Sequence, residues 1–382
     1  MSKKTQIIIG IIVTILVIGV IWYGVNKKSA LVKKEETIKI GAILPLTGKD
    51  STTTGTAKEG LLLAVEKINK LGGINGRKIE LILEDSESDQ TKAITAFNKL
   101  IFGDKVQVVI GGFTSMEAAA LAPLAQYNKR ILFSPTATTL VLNKAGDYVF
   151  KFREGIDLQG KKIAEVMQKL NIKKLAIIYN DTEIAHDLMN TFSKEAKTRG
   201  IEIVGVEKYT QKDIDFRTQL TKIKSKKPEA IYIIGYPKDV SMVVKQTREL
   251  GLQQQIFSIN SAESSVIFEI AGPAAEGIIF TTSPLNCKYE IEPGKTFCDI
   301  YKEKYGKDPD YRAAYLYDSL MIVVDAIKKV GNDAEKLKIQ LLKTNFNGAA
   351  GKTIFDSDGN AQREVIIKTI KNGKFVPYEN KW

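Results

Sequence analysis

Residues 108–139 read VVIGGFTSMEAAALAPLAQYNKRILFSPTATT, and this stretch decides the fold. A short apolar run stops at Gly111 and Gly112, which let the backbone turn closely at a strand's carboxyl end. Thr114 and Glu117 stand at capping-box spacing, so a helix is predicted over 116–127 with its free N–H groups directed back into the loop. A second strand at 131–133 ends in another hydroxyl-rich loop carrying Ser134, Thr136, Thr138 and Thr139. In an open parallel sheet, two neighbouring loops at strand carboxyl ends form the crevice where ligands bind. Hydroxyls and helix-start amides suit a small anion such as a carboxylate. Each hydroxyl taken singly also fits an ordinary turn or cap residue.

The same alternation extends outward in both directions. Upstream lie a strand at 38–44, a Gly/Ser/Thr loop at 47–55 and a helix at 56–71 with Leu61, Val65 and Ile68 on one face, ended by Gly72, Gly73, Asn75 and Gly76. A strand at 78–83, a helix at 90–102 and a strand at 106–110 complete a βαβαβ unit, which predicts a parallel sheet covered on both faces. The acidic run 84–89 reads as a solvated strand-to-helix turn. Downstream, strands at 174–179, 201–207, 230–234 and 255–259 alternate with helices at 157–170, 186–199, 215–224 and 238–250, which predicts a second α/β lobe. From Gly277 the pattern changes to a strand, a loop with both cysteines, helices at 296–305, 310–330 and 334–342, and closing strands at 352–355 and 364–370.

With 382 residues, 44% of them hydrophobic and 26% charged, the chain buries a sizeable core and suits two domains. The net charge of +12 comes from lysines scattered over helix faces, with no aromatic-interleaved basic motif, so no nucleic-acid partner is expected. Lys3 and Lys4 precede an apolar run at 7–25, long enough to span a bilayer. No small-x-small cleavage site follows it, so an uncleaved transmembrane helix is expected, with the large domain on the extracytoplasmic side. Lysines 27, 28, 33 and 34 on the outer flank run against the positive-inside rule.

Catalytic and metal signatures are absent from the sequence. One histidine and two cysteines supply neither a metal cluster nor a Ser/His/Asp triad, and neither GxGxxG after the first strand nor GxxxxGK[ST] occurs, so no enzyme and no cofactor are expected. Residues 356–360, DSDGN, lack the glutamate of a calcium loop and read as a hairpin turn. Cys287 and Cys298 flank a short loop and, outside the cytoplasm, are expected to be either bridged or two buried thiols.

IGAILPLTG, GLLLAVEKINKLGGINGRKIELILEDSESD, VVIGGFTS, FSPTATT, DFRTQLTKIK, IYIIGYPKD, IAGPAAEGIIF and YRAAYLYDSL, in this order, resemble the Leu/Ile/Val-type extracellular solute-binding proteins of ABC transporters. The resemblance runs from about Thr37 to the end. It implies the type I periplasmic binding fold, two doubly wound lobes joined by a multi-strand hinge. The lobes are expected over 35–155 plus about 284–345 and over 156–283 plus about 346–382, after an anchor and linker at 1–34. It further implies a small zwitterion, an amino acid, as ligand and an ABC permease as partner. Carried over by motif, Ser115, Thr136 and Thr138 match residues that hold the carboxylate and part of the ammonium group, Phe113 forms an apolar wall and Tyr236 closes from the second lobe. Two positions depart from the Leu/Ile/Val pattern: Ile184 replaces an aromatic, and Asn260 replaces the acid for the ammonium, with Glu263 three residues on. Amides, urea and small carboxylates therefore stay open as ligands. A sensory ectodomain of the same fold is the other class, but a sensor normally continues into a signalling domain and this chain ends at Trp382 after a strand-like segment, so transport is expected.

Overall fold

Strands that are apolar at consecutive positions need cover on both faces, and the computed structural model has two sheets covered in that way. It describes residues 14, 15, 17, 18, 37–48, 50–210, 212–285 and 292–379. In the first sheet β1 (Ile38–Leu44), β2 (Ile79–Asp85), β3 (Val108–Ile110), β4 (Ile131–Ser134) and β5 (Val149–Lys151) run parallel in the order β2-β1-β3-β4-β5. Ile40, Ala42 and Leu44 enter one apolar layer with Leu61 and Leu316, while Ile43 enters the other with Phe97 and Leu121.

The second lobe repeats the scheme. β6 (Lys174–Asn180), β7 (Glu202–Tyr209), β8 (Ala230–Ile234), β9 (Gln255–Ser258) and β10 (Ile279–Thr282) are parallel in the order β7-β6-β8-β9-β10. Ile231 and Ile233 face one apolar layer, Tyr232 and Ile234 the other. β11 (Asn345–Gly348), β12 (Gly351–Phe355) and β13 (Ala361–Arg363) form a small antiparallel sheet, with the expected hairpin turn at 356–360 closed by Asp356, which accepts from the Asn360 N–H at 2.8 Å. β14 (Ile366–Lys371) and β15 (Lys374–Pro377) then add antiparallel to the β10 edge.

Three places differ from the sequence reading. The first helix begins at Ser51 rather than 56, because Ser51 and Thr54 fold their hydroxyls onto the carbonyls of Gly48 and Asp50, and a hydroxyl-rich segment becomes a helical first turn. The acidic turn after β2 does more than meet solvent: Asp85 accepts from the Leu46 and Thr47 N–H groups and from the Thr47 hydroxyl at 2.7 Å, tying the loop after β1 to β2. The small sheet, expected with the second lobe, packs Phe355 against Phe133 and Phe150 of the first sheet. Cys298 is buried and disulfide-bonded, while Cys287 lies outside the described residues. No helix of the described residues is long and apolar enough to cross a membrane, and of the apolar run at 7–25 only 14, 15, 17 and 18 are described.

Segments that follow β5, β10 and β13 come together in the structure. Each contributes to one buried cluster. Glu154 accepts from Ser283 Oγ at 2.6 Å and from Tyr315 Oη at 2.7 Å, and its carboxylate pairs with Arg363 Nε at 3.4 Å.

Candidate functional site

In each sheet the strand order reverses beside the first strand, between β1 and β3 and between β6 and β8, and ligands of such sheets bind outside the carboxyl ends at that reversal. The carboxyl ends of the second sheet open onto a cleft of about 1340 Å³ whose other wall is the first lobe. Asn180 ends β6, Gly235 and Tyr236 follow β8, and Asn260 to Glu263 follow β9. Thr138, Arg153 and the segment 308–312, which enters helix Tyr311–Val330, supply the first-lobe wall.

Local chemistry explains these positions. Tyr236 precedes Pro237, whose fixed φ suits the first turn of helix Pro237–Glu249, so the Tyr236 ring stands at the helix entrance, half exposed. Gly235 beside it is closely approached, since a Cβ there would sit 1.9 Å from Tyr209 Oη, which would have to shift. Helix Ser115–Asn128 starts within one residue of the predicted place, with Thr114 and Glu117 forming the capping box. The two hydroxyl-rich loops are joined rung by rung. Ser134 Oγ donates to the Gly112 carbonyl at 3.0 Å, Thr136 Oγ1 to the Phe113 carbonyl at 2.5 Å, and the Thr138 N–H to Ser115 Oγ at 3.4 Å.

Of the sequence-predicted site residues, Thr138, Tyr236, Asn260 and Glu263 line the cleft together. Phe113, Ser115 and Thr136 do not line it; Phe113 and Thr136 are buried, and Ser115 reaches it through Thr138. Glu263 has a partner within the protein: it forms an ion pair with Lys368, whose side chain is fully buried, and accepts from Thr282 Oγ1 at 2.6 Å. Burial pushes the Lys368 ammonium below its usual range, against the pull of Glu263. Sequence reasoning missed Arg153, Asn180 and Tyr311. Arg153 and Asn180 carried one usable signal, their place at or just after the carboxyl end of a strand. The Asn180 amide donates to Asp239 Oδ2 at 3.0 Å, and its Oδ1, though buried, has no partner.

Comparison with known proteins places these features in a family. Residues 37–374 match the periplasmic binding protein family. The leucine-, isoleucine-, valine-, threonine- and alanine-binding protein of Pseudomonas aeruginosa is 27% identical over 352 residues, covering 90% of each chain. The Leu/Ile/Val-binding protein BraC3 of Rhizobium johnstonii is 31% identical over 347 residues, 89% of this chain and 85% of that one. The branched-chain amino acid transporter substrate-binding protein LivJ of Streptococcus pneumoniae, solved in complex with isoleucine, superposes with a TM-score of 0.74 at 33% identity, covering 89% of this chain and 98% of that one.

Proposed function

Since the chain belongs to the periplasmic binding protein family, we propose that it is the extracytoplasmic receptor of an ABC transporter, capturing an amino acid of the leucine and isoleucine kind between its lobes and passing it to the permease. The observation that carries the reading is the cleft, with strand-end loops of the second sheet facing Thr138 and Arg153 across it. The ligand is bound and released unchanged. Its carboxylate meets Thr138, backed by Ser115, and Tyr236 closes over its side chain. The ammonium meets neutral acceptors near Asn260 and Asn180, because Glu263 is already engaged by Lys368. We take the lobes to be 35–155 with about 284–363, and 156–283 with 364–379.

Titration calorimetry with leucine and isoleucine tests this. Tyr236→Ala is expected to weaken binding roughly ten- to hundredfold, since burying an aromatic ring contributes about 1.5–3 kcal/mol and about 1.4 kcal/mol is a decade in affinity. No heat with any amino acid would contradict the function, and unchanged affinity in Tyr236→Ala would remove that residue from the site.

We further propose that the apolar run at 7–25 anchors the protein in the membrane. A chain beginning at Glu35 should stay in solution while the full chain sediments with membranes. Recovery of the protein from the medium with an amino terminus beyond Ala30 would show cleavage instead.

A further inference from the structure

The charges on the cleft walls are unevenly paired. Three carboxylates line it, and each has a basic partner: Glu263 with Lys368, Asp308 with Lys302 at 3.2 Å, and Asp310 with Arg312 at 2.9 Å. Asp310 also caps helix Tyr311–Val330, accepting from the Arg312 and Ala313 N–H groups. Arg153 stands apart from this pattern. It follows β5 at the carboxyl edge of the first sheet and lies over the Tyr311 ring at 5.1 Å. Its Nη1 donates to the Thr136 carbonyl at 3.4 Å, in the hydroxyl-rich loop, and its Nε is buried without a partner. Among the described residues no carboxylate forms an ion pair with it. The neighbouring Glu154 turns its oxygens to Ser283, Tyr315 and Arg363.

The Glu154 carboxylate next to Arg153 is shared with Arg363, so the Arg153 guanidinium, its Nε unpartnered, gains from an arriving anion, and its planar fork matches a carboxylate. Among the described residues the opposite wall has no unpaired acid that would demand a cation; its buried unpartnered side-chain atoms are the neutral Asn180 Oδ1 and Ser261 Oγ. We propose that Arg153 holds the anion in the cleft together with Thr138, and that the charge this site requires of its ligand is a carboxylate, the amino group being dispensable. The inference rests on the reading of this cleft as the ligand site, and it deepens that reading by naming which end of the ligand selects it.

The experiment is calorimetry of the full chain with three probes of one shape: leucine, 4-methylpentanoate, which lacks the amino group, and 3-methylbutylamine, which lacks the carboxylate. Binding of 4-methylpentanoate within about tenfold of leucine, with no binding of the amine, is the expected result. Arg153→Gln should weaken both acids roughly ten- to hundredfold, the loss of one charge-assisted contact pair. Arg153→Lys should recover part of the loss, and a thermal unfolding transition matching the wild type shows that the fold is kept. The probe comparison on the wild type needs no variant to fold. Amine binding as tight as leucine, or leucine binding unchanged in Arg153→Gln, overturns this inference and leaves the cleft as the ligand site. Failure of leucine and both analogues to bind the wild type overturns the proposed function with it.

Discussion

Glu154→Gln is expected to destabilise the folded protein by about 3–5 kcal/mol at pH 7, because removing one partner of a buried ion pair leaves the other charge uncompensated. The charges left are Arg363, fully buried as a side chain, and Arg153 on the cleft wall. The pH dependence has a definite sign. Burial pushes the Glu154 carboxyl up, but Arg363, Arg153 and the hydroxyls of Ser283 and Tyr315 outweigh it and hold the group below its usual value. A depressed folded-state pKa stabilises fully above the unfolded value of about 4.3 and is lost as pH falls through the lower folded value. Urea unfolding of wild type and variant should therefore differ most at neutral pH and converge in acid. Curves that stay equally far apart from pH 7 to pH 3 would rule out the charge as the cause. Since Glu154, Ser283 and Arg363 lie at the three proposed crossings between the lobes, the same variant should loosen the proposed hinge.

The second large effect is expected at Gly60, in helix Ser51–Lys70. A Cβ there would meet the backbone carbonyl oxygen of Ala313 at 2.0 Å, and a helix backbone has no rotamer by which to give way. Gly60→Ala should cost about 3 kcal/mol, the upper end of over-packing penalties, or prevent folding altogether. Gly55 lies in the same helix, exposed, with nothing near its absent Cβ. Gly55→Ala should instead stabilise by up to about 1 kcal/mol through helix propensity. Denaturant melts of the two variants, one chemistry in one helix, should thus move in opposite directions. A shift of the same sign in both would mean that the packing of this helix on Tyr311–Val330 is not what the close approach implies.

What could be read without the structure was whatever physics acts over a few residues. The alternation of strands and helices follows from apolar runs and periodic faces, and the helix start at Ser115 from a reciprocal cap spanning Thr114 and Glu117. The cleft's place was legible in part, because a parallel sheet places its loops at strand carboxyl ends whatever their sequence: Thr138, Tyr236, Asn260 and Glu263 line it, while Phe113, Ser115 and Thr136 do not. Where local signals conflict, they mislead: hydroxyls at 51–54 looked like a loop but form a helical turn, since Ser51 and Thr54 can bond their own backbone.

Tertiary structure alone decided how the charges are spent. Glu263 looked available for a ligand's ammonium, yet its partner Lys368 lies 105 residues away, brought beside it only when β14 adds to the edge of β10. Glu154 and Arg363 meet across the hinge in the same way, and β11–β13 join the first lobe because Phe355 completes an aromatic cluster with Phe133 and Phe150. Pairings of this kind depend on distances that chain separation does not encode. Burial makes them strong, and burial exists only once the sheets have formed.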